Sequence, residues 1–208
     1  MRTLTKEIRD KLTPEEALDV LKKGNERFVN NLKAHRNLLE QVNETSDSQH
    51  PFAAILSCMD SRTSAELIFD QGLGDILSIR IAGNILNEDI LGSLEFATQI
   101  AGSKIILVLG HTKCGAITAA CNKVSAGNIS VLLDKIRPAI ESEKETLKQR
   151  DGDNPDFVLN VTRINVHMTI EKILRQSSII SELLKSKRIM IVGGIYDVDT
   201  GRVDLFDN

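Results

Sequence analysis

Ala53-Ala54-Ile55-Leu56-Ser57-Cys58-Met59-Asp60-Ser61-Arg62 is an apolar run that ends abruptly in a thiol, a carboxylate and a guanidinium. A second run, Ile105-Ile106-Leu107-Val108-Leu109-Gly110, ends the same way in His111-Thr112-Lys113-Cys114-Gly115. Both are short, rich in aliphatic and β-branched residues, and bounded by polar or glycine signals, the pattern of strands covered on both faces in a parallel sheet. Ligands of open α/β sheets sit beyond the carboxyl ends of the strands. Two thiols and an imidazole are therefore expected to converge at one edge of this sheet.

Upstream of the first run, 43–51 is a polar loop. Before it, Thr13-Pro14-Glu15-Glu16 has the form of a capping box with Pro at the first helical position. Leu18, Leu21, Phe28 and Leu32 follow at roughly helical spacing, which predicts a helix over 14–32. The segment 34–42 is a second helix candidate. Residues 1–48 thus form a helical arm without a strand of their own, and two readings stand: the arm packs on its own domain, or it lies over a second subunit.

Downstream, 64–69 is a short helix candidate, 75–84 alternates as a strand, and Asn87 with Glu88 and Asp89 opens a helix that Gly102-Ser103 ends. After Gly115 come a helix over 116–126 and a long segment over 129–149; the charged stretch 141–150 reads as a solvated helix face. Asp151-Gly152-Asp153-Asn154-Pro155 is the clearest break, and a helix runs from there towards Leu184. A strand over 188–194, a turn at Asp199-Thr200-Gly201 and an antiparallel strand over 202–206 close the chain. The expected fold is α/β: a mostly parallel central sheet of four strands plus a C-terminal antiparallel strand, flanked by helices. It forms one domain with its core at 49–208.

Composition narrows the function classes. At 208 residues the chain can bury a sizeable core. A formal charge of −3, no Trp and one Tyr give neither a phosphate-tracking surface nor a stacking set, so nucleic acid is not an expected partner. No apolar run approaches the roughly 20 residues that cross a bilayer, so no membrane partner is expected. Charges scattered through 1–10 break any secretory core, and the chain reads as cytoplasmic. Three cysteines, an odd number, point to thiols in metal or catalytic roles instead of disulfides.

Taken as metal ligands, Cys58, His111 and Cys114 describe a Zn2+ site. Two thiolates and one imidazole suit a borderline-soft cation, and three protein ligands leave a fourth position open for chemistry. Two thiolates also neutralise the charge of the ion, so a bound water is acidified less than by neutral ligands and needs a helper. Asp60 can accept a hydrogen bond from zinc-bound hydroxide, and Arg62 can hold that carboxylate and keep it ionised. The same carboxylate could instead become a fourth ligand and close the site. Cys114 stands at an expected helix start, which favours thiolate, and Gly115 lets backbone approach a substrate closely. The structural alternative is a pair of core thiols and a satisfied histidine.

Three motifs together carry a resemblance: Cys58-Met59-Asp60-Ser61-Arg62, Arg80-Ile81-Ala82-Gly83-Asn84 and Gly110-His111-Thr112-Lys113-Cys114-Gly115. Gly193-Gly194-Ile195-Tyr196-Asp197 and Thr200-Gly201 fit as well. The chain resembles a β-class carbonic anhydrase of the plant-type-like bacterial kind over 49–206. The resemblance implies reversible hydration of carbon dioxide to bicarbonate and a proton, with Zn2+ on Cys58, His111 and Cys114 and a zinc-bound hydroxide oriented by Asp60 with Arg62. It also implies that Gln49, nine residues before Cys58, helps bind substrate. A homodimer or dimer of dimers is expected, with sites near the subunit interface. Some bacterial members are inhibited by bicarbonate in a pocket using a tryptophan, an arginine and a tyrosine; Arg80 matches the arginine, but Ile55 stands at the tryptophan position. Two rival functions remain: hydrolysis of carbon disulfide or carbonyl sulfide on the same scaffold, and a non-catalytic zinc domain.

Overall fold

The computed structural model describes residues 3–206. Among these residues the α-helices and strands are, in chain order, α1 (Lys6–Lys11), α2 (Pro14–Val29), α3 (Leu38–Glu44), β1 (Ala53–Ser57), α4 (Ala65–Ile68), β2 (Ile76–Arg80), α5 (Glu88–Glu95, continued by a π-helical turn over Phe96–Ile100), β3 (Ile105–His111), α6 (Gly115–Cys121), α7 (Gly127–Asp134), α8 (Arg137–Ser142), α9 (Pro155–Gln176), α10 (Ser178–Lys185), β4 (Met190–Tyr196) and β5 (Val203–Leu205). The strands lie in the order β2-β1-β3-β4-β5, with the first four parallel and β5 antiparallel to β4. This is the expected sheet.

The strand order explains where the chemistry sits. From β1 the chain winds outward to β2, then returns to β3 on the other side of β1. The winding reverses between β1 and β3, which leaves a crevice beyond their carboxyl ends. Cys58 follows the last residue of β1, and His111 is the last residue of β3.

Every residue of β1 and β3 is buried because both faces of the sheet are covered. Alternate side chains go to opposite layers. Ile55, Leu107 and Leu109 pack with Leu21, Ile68 and Phe69. Leu56, Ile106 and Val108 pack with Leu94, Val166 and Ile173 on the other side. Each such fully buried side chain contributes about 1.5–3 kcal/mol relative to exposure. A third cluster, with Ile117, Ile136, Phe157 and Val161, packs around Cys58 and Cys114 beyond the strand ends.

The N-terminal helices α2 and α3 differ in how much of their apolar surface is buried. Thr13 Oγ1 accepts from Glu16 N at 3.1 Å while the Glu16 carboxylate accepts from Thr13 N at 2.8 Å, so the capping box forms as the sequence requires. Helix α2 rests on the sheet of its own chain through Ala17 and Leu21. A Cβ at Gly24 would lie 1.8 Å from the Phe69 carbonyl oxygen, so only glycine lets α2 approach the end of α4 this closely. Asn25 donates to the Ile68 and Gly201 carbonyls and accepts from Val203 N. Helix α3, by contrast, leaves Leu38, Leu39 and Val42 exposed.

Several expected boundaries shift for local reasons. Helix α2 ends at Val29, and Asn31 turns left-handed two residues on. The second helix starts only at Leu38 because Asn37 caps it, accepting from Glu40 N at 3.2 Å. The strand expected over 75–84 stops at Arg80, and Gly83 and Asn84 both adopt positive φ in a tight turn. The helix expected to reach Leu184 breaks at Ser177, whose extended backbone and Oγ start α10. The stretch 141–150 is not a helix beyond Ser142. Buried Glu143 instead gathers the loop by accepting from Thr146 N at 2.8 Å and from Arg150. Among the described residues no helix is long and apolar enough to cross a membrane.

Candidate metal centre and cleft

Cys58, His111 and Cys114 each offer one ligand atom, and these atoms all lie within 4.8 Å of one another in a buried setting. The two sulfurs are 3.9 Å apart. His111 Nδ1 lies 2.9 Å from the Thr112 carbonyl, so the ring proton sits on that nitrogen and the lone pair on Nε2. Nε2 is buried and has no hydrogen-bond partner among the described residues. A buried polar atom without a partner is costly in a folded core, and a cation would satisfy it.

The sulfurs support the same conclusion. A hydrogen bond with Cys114 lowers the Cys58 thiol well below its usual range, against burial, and the amide of Gly83 adds to this at 3.4 Å from the sulfur. The bond to Cys58, together with burial, pushes Cys114 up, although the amides of Ile117 and Ala116 pull it down. Two thiolates buried this close together repel each other. A divalent ion removes that conflict, and the two thiolates with one imidazole are a donor set that fits zinc.

Asp60 stands at the mouth of the same crevice, with its carboxylate turned to Arg62. Arg62 Nε donates to Oδ1 at 2.9 Å and Nη2 to Oδ2 at 2.8 Å, and the Arg62 backbone N donates to Oδ1 at 2.9 Å. These bonds, the side-chain ones foremost, hold the Asp60 carboxyl well below the usual carboxylate range. The chain therefore shows the arrangement in which Asp60 is off the three donors and ionised.

A cleft of about 620 Å³ opens beside Cys58, Asp60 and Ser61. Its opposite wall is apolar, built from Ala82, Ala116, Ala119, Ile129 and Leu132. Gly115 also lines it, and a Cβ there would meet nothing within 4 Å, so the position is open as the motif suggests. Gln49 is not brought to this cleft by its own chain. It is exposed in a groove with Val42, Thr45, Leu73 and Gly74 at the amino-terminal edge of the sheet, opposite the crevice. Helix α7 as a cleft wall and Thr63 as a brace of the Cys58 turn were not foreseen. The small residues Ala116 and Ala119, one helical turn apart, were the available signal for the wall.

A family model described as carbonic anhydrase matches residues 53–203. Carbonic anhydrase 2 of Mycobacterium tuberculosis is 35% identical over 201 residues, covering 94% of this chain and 94% of its own length. A carbonic anhydrase of Mycolicibacterium smegmatis is 33% identical over 199 residues, covering 92% and 93%. Among solved structures, the β-carbonic anhydrase CafA of Aspergillus fumigatus aligns with a TM-score of 0.70 and 26% identity over 81% of each chain. With this sheet, this donor set and matches of this extent, the chain belongs to the β-carbonic anhydrase family.

Proposed function

We propose that the protein catalyses the reversible hydration of carbon dioxide to bicarbonate and a proton. The observation that carries this reading is the meeting of three donor atoms, Cys58 Sγ, His111 Nε2 and Cys114 Sγ, with a carboxylate that Arg62 holds beside them. These three residues would hold zinc, which supplies a Lewis acid able to make water nucleophilic near neutral pH. Asp60, ionised and fixed by Arg62, accepts a hydrogen bond from the attacking water and so directs its lone pair towards the cleft. The apolar wall of Ala82, Ala116, Ala119 and Leu132 receives a small linear molecule without charge. A carbon–oxygen bond forms, one C=O π bond opens to give bicarbonate, and the released proton passes to buffer.

In this reading Gly115 leaves room for substrate, and a Gln49 that touches substrate does so from a second copy, since its own cleft lies at the far edge of the sheet. Exposed Leu38, Leu39 and Val42 on α3, beside that groove, supply apolar surface for such a homodimer. The free thiols Cys58, Cys114 and Cys121 suit a reducing compartment such as the cytoplasm. A purely structural zinc domain would use four protein ligands, whereas here three donors are grouped and the Asp60 carboxylate is engaged by Arg62.

Stopped-flow hydration of carbon dioxide tests the proposal on zinc-loaded wild type and Asp60→Asn. Wild type should turn over, and the variant should lose about 10²- to 10⁴-fold in kcat, the range for a positioned acid–base group. Absence of wild-type hydration, or an unchanged variant, would contradict it.

A further inference from the structure

Arg80 ends β2, the strand beside β1, and its side chain reaches the turn that follows β1. Nε donates to the Cys58 carbonyl at 3.1 Å, and Nη2 donates to the Asp60 carbonyl at 2.5 Å and to Thr63 Oγ1 at 3.4 Å. Thr63, itself buried, shares its hydroxyl proton between the same two carbonyls at 2.9 and 2.8 Å, and its backbone N donates to the Asp60 carbonyl at 3.0 Å. The carbonyls of a sulfur ligand and of the cleft carboxylate are thus each held from two sides. Neither Arg80 nor Thr63 lines the cleft.

We propose that Arg80 is a positioning residue: braced against Thr63, it locks the 58–63 turn so that Asp60 stays on Arg62 and away from the three donor atoms. The inference rests on the role proposed above for Asp60. Arg62 alone does not secure that geometry, because its side chain is 49% exposed and an ion pair of that exposure contributes little. The direction of the Asp60 side chain also depends on its backbone, and Arg80 and Thr63 hold that backbone. The planar guanidinium spans two carbonyls at once, which a lysine ammonium on a flexible stem does not. A freed turn lets the carboxylate swing onto the centre and close it.

The test uses full-length wild type, Arg80→Ala, Arg80→Lys, Thr63→Val and the Arg80→Ala/Thr63→Val double variant, with kcat, KM and bound zinc measured for each. Arg80→Ala should retain zinc and lose roughly 10- to 100-fold in kcat per zinc, the range for groups that orient a metal site, with KM changed by less than about twofold. Arg80→Lys should fall between, and the double variant should be no more than about threefold worse than the poorer single, because both residues hold the same carbonyls. A residue needed only for folding would lower melting temperature and zinc content but leave kcat per zinc intact, and that result overturns the proposal.

Cobalt-substituted protein reads the same claim without turnover. Arg80→Ala should change the visible cobalt absorption as the carboxylate enters, and adding Asp60→Ala should restore the wild-type spectrum. Identical spectra for wild type and Arg80→Ala would overturn the positioning role even if hydration itself failed. Hydration by wild type with no loss in Arg80→Ala would overturn it while leaving the activity standing.

Discussion

Two aspartate–arginine pairs lie ten residues apart in this chain and do opposite things. Asp70, with a side chain 4% exposed, receives Arg27 at 2.5 Å, Arg36 at 2.5 Å and the Ala34 amide at 3.1 Å, and so pins the segment after α2 to the turn after α4. Asp60 is 19% exposed and is gripped along one side by Arg62 at a cleft mouth. The buried carboxylate is surrounded by donors, while the cleft carboxylate keeps one side open to the cleft. Pairing type alone therefore does not distinguish structure from chemistry; what each group still has free does.

The largest expected effect breaks the comparison at the metal end. Cys114→Ser or His111→Ala should strip zinc from the purified protein and abolish hydration, read by metal analysis and stopped flow, while the Asp70 pair stays folded. Retained zinc with full activity in either variant would show that the ion sits elsewhere. Next, Asp70→Ala should cost about 3–5 kcal/mol by removing the buried carboxylate that accepts from Arg27, Arg36 and the Ala34 amide together. Urea unfolding would measure this, and kcat per folded, zinc-loaded chain should not move. A large loss of kcat per zinc with little loss of stability would reverse the roles assigned to the two aspartates.

A pH series sharpens the contrast further. Burial pushes the Asp70 carboxyl up, but the hydrogen bonds from Arg27, the Ala34 amide and Arg36 outweigh it and leave the folded value below the usual one. Its stabilisation is therefore present above the unfolded carboxylate value of about 4 and is lost as pH falls through the lower folded value. Wild type should lose stability below about pH 4 more steeply than Asp70→Asn, in which that term is missing. Parallel curves would mean that Asp70 contributes nothing to acid unfolding. The smallest effect belongs to the Lys113–Asp199 pair, with both side chains 61% exposed: Asp199→Asn should shift stability by less than about 1 kcal/mol.

How far the sequence foretold this depends on the range of the forces involved. The two buried strands, their parallel pairing and the three donor residues follow from local pattern, because apolar runs and the polar residues that end them lie side by side in the chain. The capping box at Thr13 is equally local. Less legible were features set by distant partners. The helix break at Ser177 includes an Oγ bond to Glu95, 82 residues away, at 2.6 Å. The loop after Ser142 is organised by Glu143 burying against Arg150, although its charge suggested a solvated helix. Arg80 could be seen in a motif, but only the fold shows that it reaches the carbonyls of Cys58 and Asp60 at the end of the neighbouring strand. Gln49 was singled out by the resemblance, and a matching position along one chain does not say that the length of β1 separates it from the cleft.

X-ray absorption at the zinc edge on the full-length protein near pH 7 tests the central claim most directly. The account predicts two sulfur scatterers at about 2.3 Å and two lighter ones at about 2.0–2.1 Å, the same in wild type and Asp60→Asn because the carboxylate lies on Arg62. Protein that binds no zinc, a shell with fewer than two sulfurs, or a shell that changes when Asp60 is replaced would contradict it.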